Sequence, residues 1–396
     1  MTMAAAIESR TAEAPARSQT GRIASVDIFG GLDQAEAIWR GLEDIKHFST
    51  PYQRFDFLSA WQRQVGAREG HRPFIVIACD SERRPLLLLP LTLSHEHGVR
   101  TASFMGGKHA TFNMGLWDRD FALTASAADL EALMAAIRAR SEADVLALGQ
   151  QPLNWDGLPN PMALLPHQRS ANDCPLMKIV AEEPPTARIS SSFRRRLKGK
   201  ERKLQALAGY RSHVATSDAD IKRLLDWFFA VKPQRMAEQK LPNVFADPGV
   251  EEFVRDACMA RLAGGGRAID IHALECDDEV IAIFAGVNDG HRLSMMFNTY
   301  TLSANAKYSP GLILMRDIVD HYAERCYRAL DLGIGSDDYK RLFCKDDEPI
   351  FDSFIPLSLR GRLAAAAMSG VNRAKHLVKH NPALFELAQK LRGAFR

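Results

Sequence analysis

The alternation of apolar and polar positions is most legible between residues 268 and 340. Two runs rich in β-branched residues, 268–276 (AIDIHALEC) and 280–288 (VIAIFAGVN), flank the acidic turn Asp277-Asp278-Glu279 and predict a hairpin. Asp289-Gly290 suits positive φ at both central turn positions, so 291–300 is expected to fold back as a third antiparallel strand. Ser309-Pro310-Gly311 then offers a capping hydroxyl and a first-turn proline. Behind it Leu312, Met315, Ile318, Val319 and Tyr322 recur at helical spacing and predict a helix of about four turns. The short, apolar, glycine-bounded run 329–335 (ALDLGIG) reads as a strand laid beside the meander by that helical crossover. A site is expected where this strand ends.

The same order of elements occurs earlier. Residues 74–79 and 86–93 form a predicted hairpin, 99–105 a third strand, 130–140 a helix and 145–148 a closing strand. The halves share no evident sequence identity, so this repeat rests on element order. Gly106-Gly107-Lys108-His109 in the first half is glycine-bearing and basic, which suits either a phosphate contact or an ordinary turn.

Four segments follow: a disordered tail over 1–20, a first α/β domain over 21–185 that ends in a proline- and asparagine-rich loop (151–185), a second over 186–356, and a basic helical tail over 357–396. The second domain opens with a basic helix, 190–203, carrying seven Lys or Arg against Glu201 alone; Phe193, Leu197, Leu204 and Leu207 fall on its apolar face. In the tail, Leu363, Ala367, Val371, Ala374 and Val378 form a stripe before Asn381-Pro382, with eight Lys or Arg from Arg360 onward against Glu386 alone. That stripe suits packing, a protein partner or an anionic membrane surface.

Composition narrows the picture further. The chain of 396 residues exceeds a usual single core, and 46% hydrophobic with 25% charged residues is ordinary for a globular protein. A net charge of +3 gives no footing for nucleic acid as a partner, and the basic helix lacks the aromatic interleaving of a single-strand platform. Six scattered cysteines without a Cys-x-x-Cys pair, and no secretory leader, read as reduced thiols in a cytoplasmic protein. Leu86 to Leu91, the most apolar run, is far shorter than a bilayer span. His95-Glu96-His97 lacks a third ligand at familiar spacing, so no metal is expected. Walker, Gly-x-Ser-x-Gly and His-Glu-x-x-His motifs are absent, which leaves hydrolase and NTPase chemistry without support.

The β-β-β-α-β order resembles the core of the GNAT acyltransferases, whose fourth and fifth strands splay around the pantetheine arm of acyl-CoA. Segment 232–248 (KPQRMAEQKLPNVFADP), Tyr308-Ser309-Pro310-Gly311, and Asp331-Leu332-Gly333 followed by Tyr339-Lys340 narrow the resemblance to the CelD-type family. That family is associated with cellulose or exopolysaccharide biosynthesis and is distantly related to Fem aminoacyl transferases. Pro51-Tyr52-Gln53 with Trp61, the hairpin ending Pro90-Leu91 and the helix from Ser192 extend it upstream. The resemblance implies an α/β (α+β) fold of tandem GNAT-like domains, each a mixed, mostly antiparallel sheet flanked by helices. It also implies an acyltransferase using acetyl-CoA, with a sugar or envelope precursor as acceptor and polysaccharide synthase components as partners. A cytoplasmic or peripheral inner-membrane location would suit that work. A Fem-type aminoacyl transferase and a non-catalytic scaffold are the alternatives. One departure bears on the donor: the glycine-rich turn that cradles CoA phosphates is reduced to Lys307-Tyr308-Ser309-Pro310-Gly311, in which proline removes a donor.

Such chemistry needs a base for the acceptor, a donor to the thioester carbonyl and an acid for the departing thiolate. Tyr339 is the candidate acid. Asp331, Asp337 and Asp338 are candidate bases, with His272 as the alternative base because its ordinary pKa lies near neutrality. Lys307, Tyr308, Ser309 and Gly311, with Arg194, Arg195 and Lys198 on the basic helix, are candidates for donor phosphates. Lys232, Arg235 and Gln239 form a polar stripe on one helix and, with Lys340, are candidates for substrate contacts. Each also has a structural reading: a solvated face for the basic helix, the polar side of a strand for Asp331, and a core aromatic for Tyr339.

Overall fold

The computed structural model describes residues 22–381 except 45, 181–182, 263–264 and 336. The tail over 1–20 and the segment after Asn381 lie outside the described residues.

In the first half, β1 (Ser25–Phe29) and α1 (Leu32–Gly41) lead to α2 (Phe55–Trp61) and then to a meander of β2 (Arg72–Cys79), β3 (Pro85–Glu96) and β4 (Val99–Phe104). Helix α3 (Ala127–Arg140) crosses over and β5 (Val145–Pro152) returns parallel to β4, pairing Thr101 with Val145 and Ser103 with Ala147. The second half repeats the plan. After β6 (Cys174–Lys178) come the basic helix α4 (Ser191–Gln205), β7 (Arg211–Val214), α5 (Asp218–Glu238) and α6 (Val250–Met259). Its meander is β8 (Ile269–Cys276), β9 (Glu279–Asn288) and β10 (Arg292–Tyr300); α7 (Pro310–Ala323) crosses over, and β11 (Ala329–Asp331) pairs parallel to β10. Helix α8 (Asp338–Phe343), β12 (Asp346–Glu348), β13 (Ile350–Pro356) and α9 (Leu359–His380) complete the described chain. Two mixed, mostly antiparallel sheets flanked by helices, each closed by a parallel strand, make this a tandem GNAT-type fold.

Local chemistry explains the turns. Asp277 and Asp278 both take positive φ (50° and 56°), so the acidic hairpin is a two-residue turn and Glu279 already pairs with Cys276. The next turn differs from expectation. Only Gly290 takes positive φ, because the Asp289 carboxylate accepts the backbone N–H groups of His291 and Arg292 and holds a wider loop, delaying the strand to Arg292.

The boundary read at 185/186 is crossed in both directions. The loop read over 151–185 contains β6, which joins the second sheet between β11 and β12; β13 returns to the first sheet beside β5. The halves are further tied by Phe57 packed edge-on against Phe253 (5.2 Å), Trp155 Nε1 donating to Asp289 (3.0 Å) and Arg54 donating to the Asn288 carbonyl (2.7 Å).

The apolar face of α4 packs as read, with Phe193, Leu197 and Leu204 buried. Helix α9 does not pack on its expected stripe. Gly361, Ala365, Ser369 and Asn372 lie against the sheet, the Ser369 hydroxyl donating to Gln168 (2.7 Å) and Asn372 to the Arg169 carbonyl (3.3 Å), while Leu363 and Val371 face outward. A Cβ on Gly361 would stand 1.7 Å from the Asp144 carbonyl oxygen, so contact this close selects the face that bears glycine rather than leucine.

Candidate functional site

Strands β10 and β11 stay paired only from Arg292–Ala329 to Ser294–Asp331. Beyond Ser294 the chain of β10 continues to Tyr300, whereas β11 ends and turns away through Leu332 and Gly333. A cleft of about 480 Å³ opens at this wedge, lined by Asn298, Thr299 and Tyr300 of β10, Ser309, Gly311 and Leu312 at the start of α7, Lys232 and Arg235 of α5 with Gln239 at its C-terminal cap, and Asp337 and Tyr339 beyond β11. Seven of the candidates named from sequence, Tyr339, Asp337, Lys232, Arg235, Gln239, Ser309 and Gly311, thus meet in one place.

The corresponding gap in the first half is sealed. Where β4 and β5 part, the Asn113 backbone N–H donates to the Gln150 carbonyl (3.0 Å) and its side chain to the Gly149 carbonyl (3.2 Å). Its glycine turn is likewise engaged, Lys108 pairing with Asp247 (2.6 Å) and His109 accepting from Trp61 Nε1 (3.0 Å).

The cleft has a polar clasp. Asn298 Nδ2 donates to the Tyr339 hydroxyl (3.2 Å) across the wedge, and Lys232 Nζ donates to the Asn298 carbonyl (3.0 Å). Burial pushes the Tyr339 phenol up to about 12, so it stays protonated at neutral pH. Burial lowers the Lys232 ammonium, with only the Asp337 carboxylate opposing, which leaves a desolvated cation facing the cleft. Arg235 donates to the Tyr300 carbonyl (3.2 Å) and to the Thr301 carbonyl, stacks 3.7 Å above the Tyr300 ring and pairs with Glu238 (3.0 Å), fixing the wall of the cleft.

Several candidates lie elsewhere. Asp331 has no exposed surface; it accepts from Arg292 Nε (2.8 Å), the Ser294 hydroxyl (2.6 Å) and the Gly333 N–H (3.1 Å), so packing rather than acceptor chemistry occupies its oxygens. His272 sits under the C-terminal half of α7, 3.0 Å from the Tyr322 hydroxyl, and burial lowers its pKa to about 3. Lys340 is buried, donating to the Gly333 and Ile334 carbonyls (3.2 and 3.0 Å) and pairing with Asp337 (3.4 Å), because its helix turns the side chain back under the loop. Asp338 is exposed on the first turn of α8, outside the cleft lining.

The phosphate candidates divide similarly. Ser309 adopts the left-handed conformation (φ 58°, ψ 53°), so its hydroxyl does not cap α7 but accepts from Lys200 Nζ (2.7 Å). Tyr308 is half-buried against the second core, and Lys307 is exposed with its ammonium 5.0 Å from the Tyr308 ring. Arg194 forms a two-pronged pair with Asp320 (2.8 and 2.5 Å), and Arg195 is exposed. Neither arginine lines the cleft.

Sequence reasoning missed Asn298 and Lys200. Asn298 interrupts the apolar run Met295-Met296-Phe297 of a central strand, and a polar side chain there was the available signal. His213, Asp220 and Glu275 come within 4.8 Å of one another as a possible cation cage, but Arg223 pairs with both carboxylates (2.6 and 2.5 Å) and Arg211 with Glu275 (2.6 Å), so cations of the chain already fill it.

Residues 191–341 match the family model described as an acetyltransferase (GNAT) domain. No curated protein matches the sequence. Among solved structures, a conserved protein of unknown function from Bacteroides thetaiotaomicron is similar with a TM-score of 0.51 at 9% identity, over 84% of this chain and 100% of that one. The C-terminal domain of a putative lysylphosphatidylglycerol synthetase from Agrobacterium fabrum gives 0.49 at 11% identity over 85% and 94%. A tandem GNAT protein from the clavulanic acid biosynthesis pathway gives 0.42 at 11% identity over 84% and 99%. The wedge with its clasp therefore lies within the residues that match the GNAT acetyltransferase domain, in the second half of the repeated fold.

Proposed function

We propose that the wedge between β10 and β11 binds an acyl thioester and that the protein transfers the acyl group to an amine or hydroxyl. One observation carries this reading: the clasp of Asn298 and Tyr339 spans the place where two parallel strands part, beside the start of α7. The unpaired edge of β10 beyond Ser294 offers backbone groups to an amide-bearing donor arm. Lys232 offers a desolvated positive charge to an anionic group of donor or acceptor.

In the reaction the acceptor nitrogen or oxygen attacks the thioester carbonyl carbon, the C–S bond breaks, and the acceptor proton passes to a carboxylate or to solvent. Asp337 is the carboxylate of the cleft lining and is assigned that role. Tyr339 serves differently from a simple acid. A phenol raised to about 12 does not surrender its proton to a thiolate of ordinary affinity, near ~8.5. It donates a hydrogen bond to the leaving sulfur as charge develops, which stabilises the transition state without net proton transfer. Acetyl-CoA as donor, and a sugar of an exopolysaccharide or envelope precursor as acceptor, are the finer proposals and rest on the resemblance of the motifs.

Calorimetric titration with acetyl-CoA tests the reading. Micromolar binding retained in Tyr339→Phe but weakened in Lys232→Met is expected. Absence of binding by acetyl-CoA and longer acyl-CoAs, with salt-dependent retention of aminoacyl-tRNA, would replace it with the Fem-type reading and move attention to the basic face of α4.

A further inference from the structure

Helix α9 is held to the first sheet by one face, and among the described residues nothing covers the opposite face. Gly361, Ala365, Ser369 and Asn372 make the contact, spaced for one side of a helix. About 160° around the axis lie Leu359, Leu363, Val371 and Leu377, with 76%, 78%, 53% and 64% of their surface exposed, and the small residues Ala367 and Ala374 between them. Isolated exposed leucines are ordinary, but a stripe running the length of a 22-residue helix is not.

The charges beside it are of one sign. Arg360, Arg362, Arg373, Lys375 and Lys379 lie on this helix, and the sequence Leu359–His380 contains no Asp or Glu. On the helical wheel Arg362 flanks one border of the stripe and Lys375 the other, with Arg373 beside Arg362 but donating from Nε to Gln168 (3.1 Å). A protein groove would satisfy the leucines without asking for this surplus. A bilayer with anionic headgroups satisfies both, taking the leucines at the acyl boundary while flanking guanidinium and ammonium groups meet phosphates. No helix among the described residues is long and apolar enough to cross a membrane, so the fit is to a helix lying in the interface.

We infer that the exposed face of α9 docks the protein on an anionic lipid surface. The opposite face, fixed by Gly361 against the Asp144 carbonyl, holds the stripe outward, so no helix rearrangement precedes binding. This inference does not depend on the acyltransferase reading, and its failure leaves that reading untouched.

Vesicle co-sedimentation of the full-length protein tests it, using phosphatidylglycerol–phosphatidylcholine vesicles against pure phosphatidylcholine. Binding is expected to the anionic vesicles alone and to fall as salt rises. Leu363→Asp and the pair Arg362→Glu with Lys375→Glu are each expected to weaken it at least tenfold, with circular dichroism unchanged because these side chains are exposed. No binding to anionic vesicles overturns the inference. Binding that survives Leu363→Asp overturns it as well, since charge elsewhere would then carry the contact. So does a dimer in lipid-free buffer that Leu363→Asp dissolves, since a second copy would then be the occupant of the stripe.

Discussion

Arg292 and Asp331 form a salt bridge of 2.8 Å between the Nε and Oδ2 atoms, joining the first paired residue of β10 to the last paired residue of β11. Asp331 has no exposed surface, and Arg292 also reaches Glu348 (2.6 Å) while lying 4.3 Å from the Trp155 ring and 4.8 Å from that of Phe112. Strands β10 and β11, the end of β12 at Glu348 and two aromatic rings of the first half are thereby pinned at a single guanidinium.

Asp331→Asn is expected to destabilise the fold by about 3 kcal/mol, because removing one member of a buried pair leaves a desolvated charge undercompensated. Urea unfolding followed by fluorescence measures it. A variant as stable as the parent but without turnover would return Asp331 to the list of bases and reject the structural assignment.

His272 carries a pH prediction. The Tyr322 hydroxyl donates to Asp270 (2.7 Å), so neutral His272 donates from Nε2 to the Tyr322 oxygen (3.0 Å). Burial first, then the neighbouring His321 and Arg325, lower its pKa from 6.5 to about 3. Between these values the unfolded chain binds a proton that the folded chain refuses. The contribution is therefore full above pH ~6.5 and is lost as pH falls towards ~3, with a ceiling on the order of 5 kcal/mol. Denaturation midpoints at pH 7 and pH 4.5 should diverge less in His272→Gln than in the parent. Parallel loss in both proteins would show that other groups carry the acid sensitivity.

How much of this was legible in the residues depends on the range of the signal. The meander, crossover helix and closing strand of each half follow from local period and turn chemistry, although the acidic turn read as Asp277-Asp278-Glu279 is one residue shorter, with Glu279 already in the strand. The exchange of β6 and β13 between sheets was hidden, because Cys174–Lys178 is short, contains proline and gains its partners only from chain more than a hundred residues away. The site divided along the same line. Tyr339 and the stripe of Lys232, Arg235 and Gln239 could be placed by position at element ends, whereas the burial of Asp331 and Lys340 away from the cleft depends on pleat and helical phase.

The turn after β11 is conformationally restricted. Gly333 has φ +69°, and a Cβ there would stand 2.9 Å from the Met295 carbonyl oxygen, on the edge of β10 that forms the wedge. Gly333→Ala is thus expected to push the wall into the wedge and weaken thioester binding roughly tenfold, equivalent to about 1.4 kcal/mol. Titration of the folded variant with acetyl-CoA decides it, and unchanged affinity would place the donor elsewhere.

Position also separates the cations. Lys307 and Arg195 are exposed and outside the cleft lining, so alanine at either is expected to change donor affinity less than about twofold. Lys232→Met removes the desolvated ammonium and is expected to cost about tenfold or more, since hydrogen bonds to charged groups contribute ~1.5–3 kcal/mol. A larger loss in Lys307→Ala than in Lys232→Met would move the phosphate contacts to the start of α7 and contradict this ranking.

The last test concerns the clasp itself. If Tyr339 only donates a hydrogen bond to the leaving sulfur, Tyr339→Phe should lower kcat by roughly 10- to 100-fold with little change in KM, because the contact strengthens in the transition state rather than on binding. Its pH profile is the sharper readout. A phenol held at about 12 gives no descending limb on the alkaline side up to pH ~10, and the parent and Tyr339→Phe should therefore share one profile shape. Asn298→Ala removes the donor that favours the phenolate, so it should slow turnover through misplacement of Tyr339 while adding little to the loss already present in Tyr339→Phe. Additive losses in the double variant would mean that the two side chains act separately, and a descending limb near neutral pH that vanishes in Tyr339→Phe would make the phenol a proton donor after all.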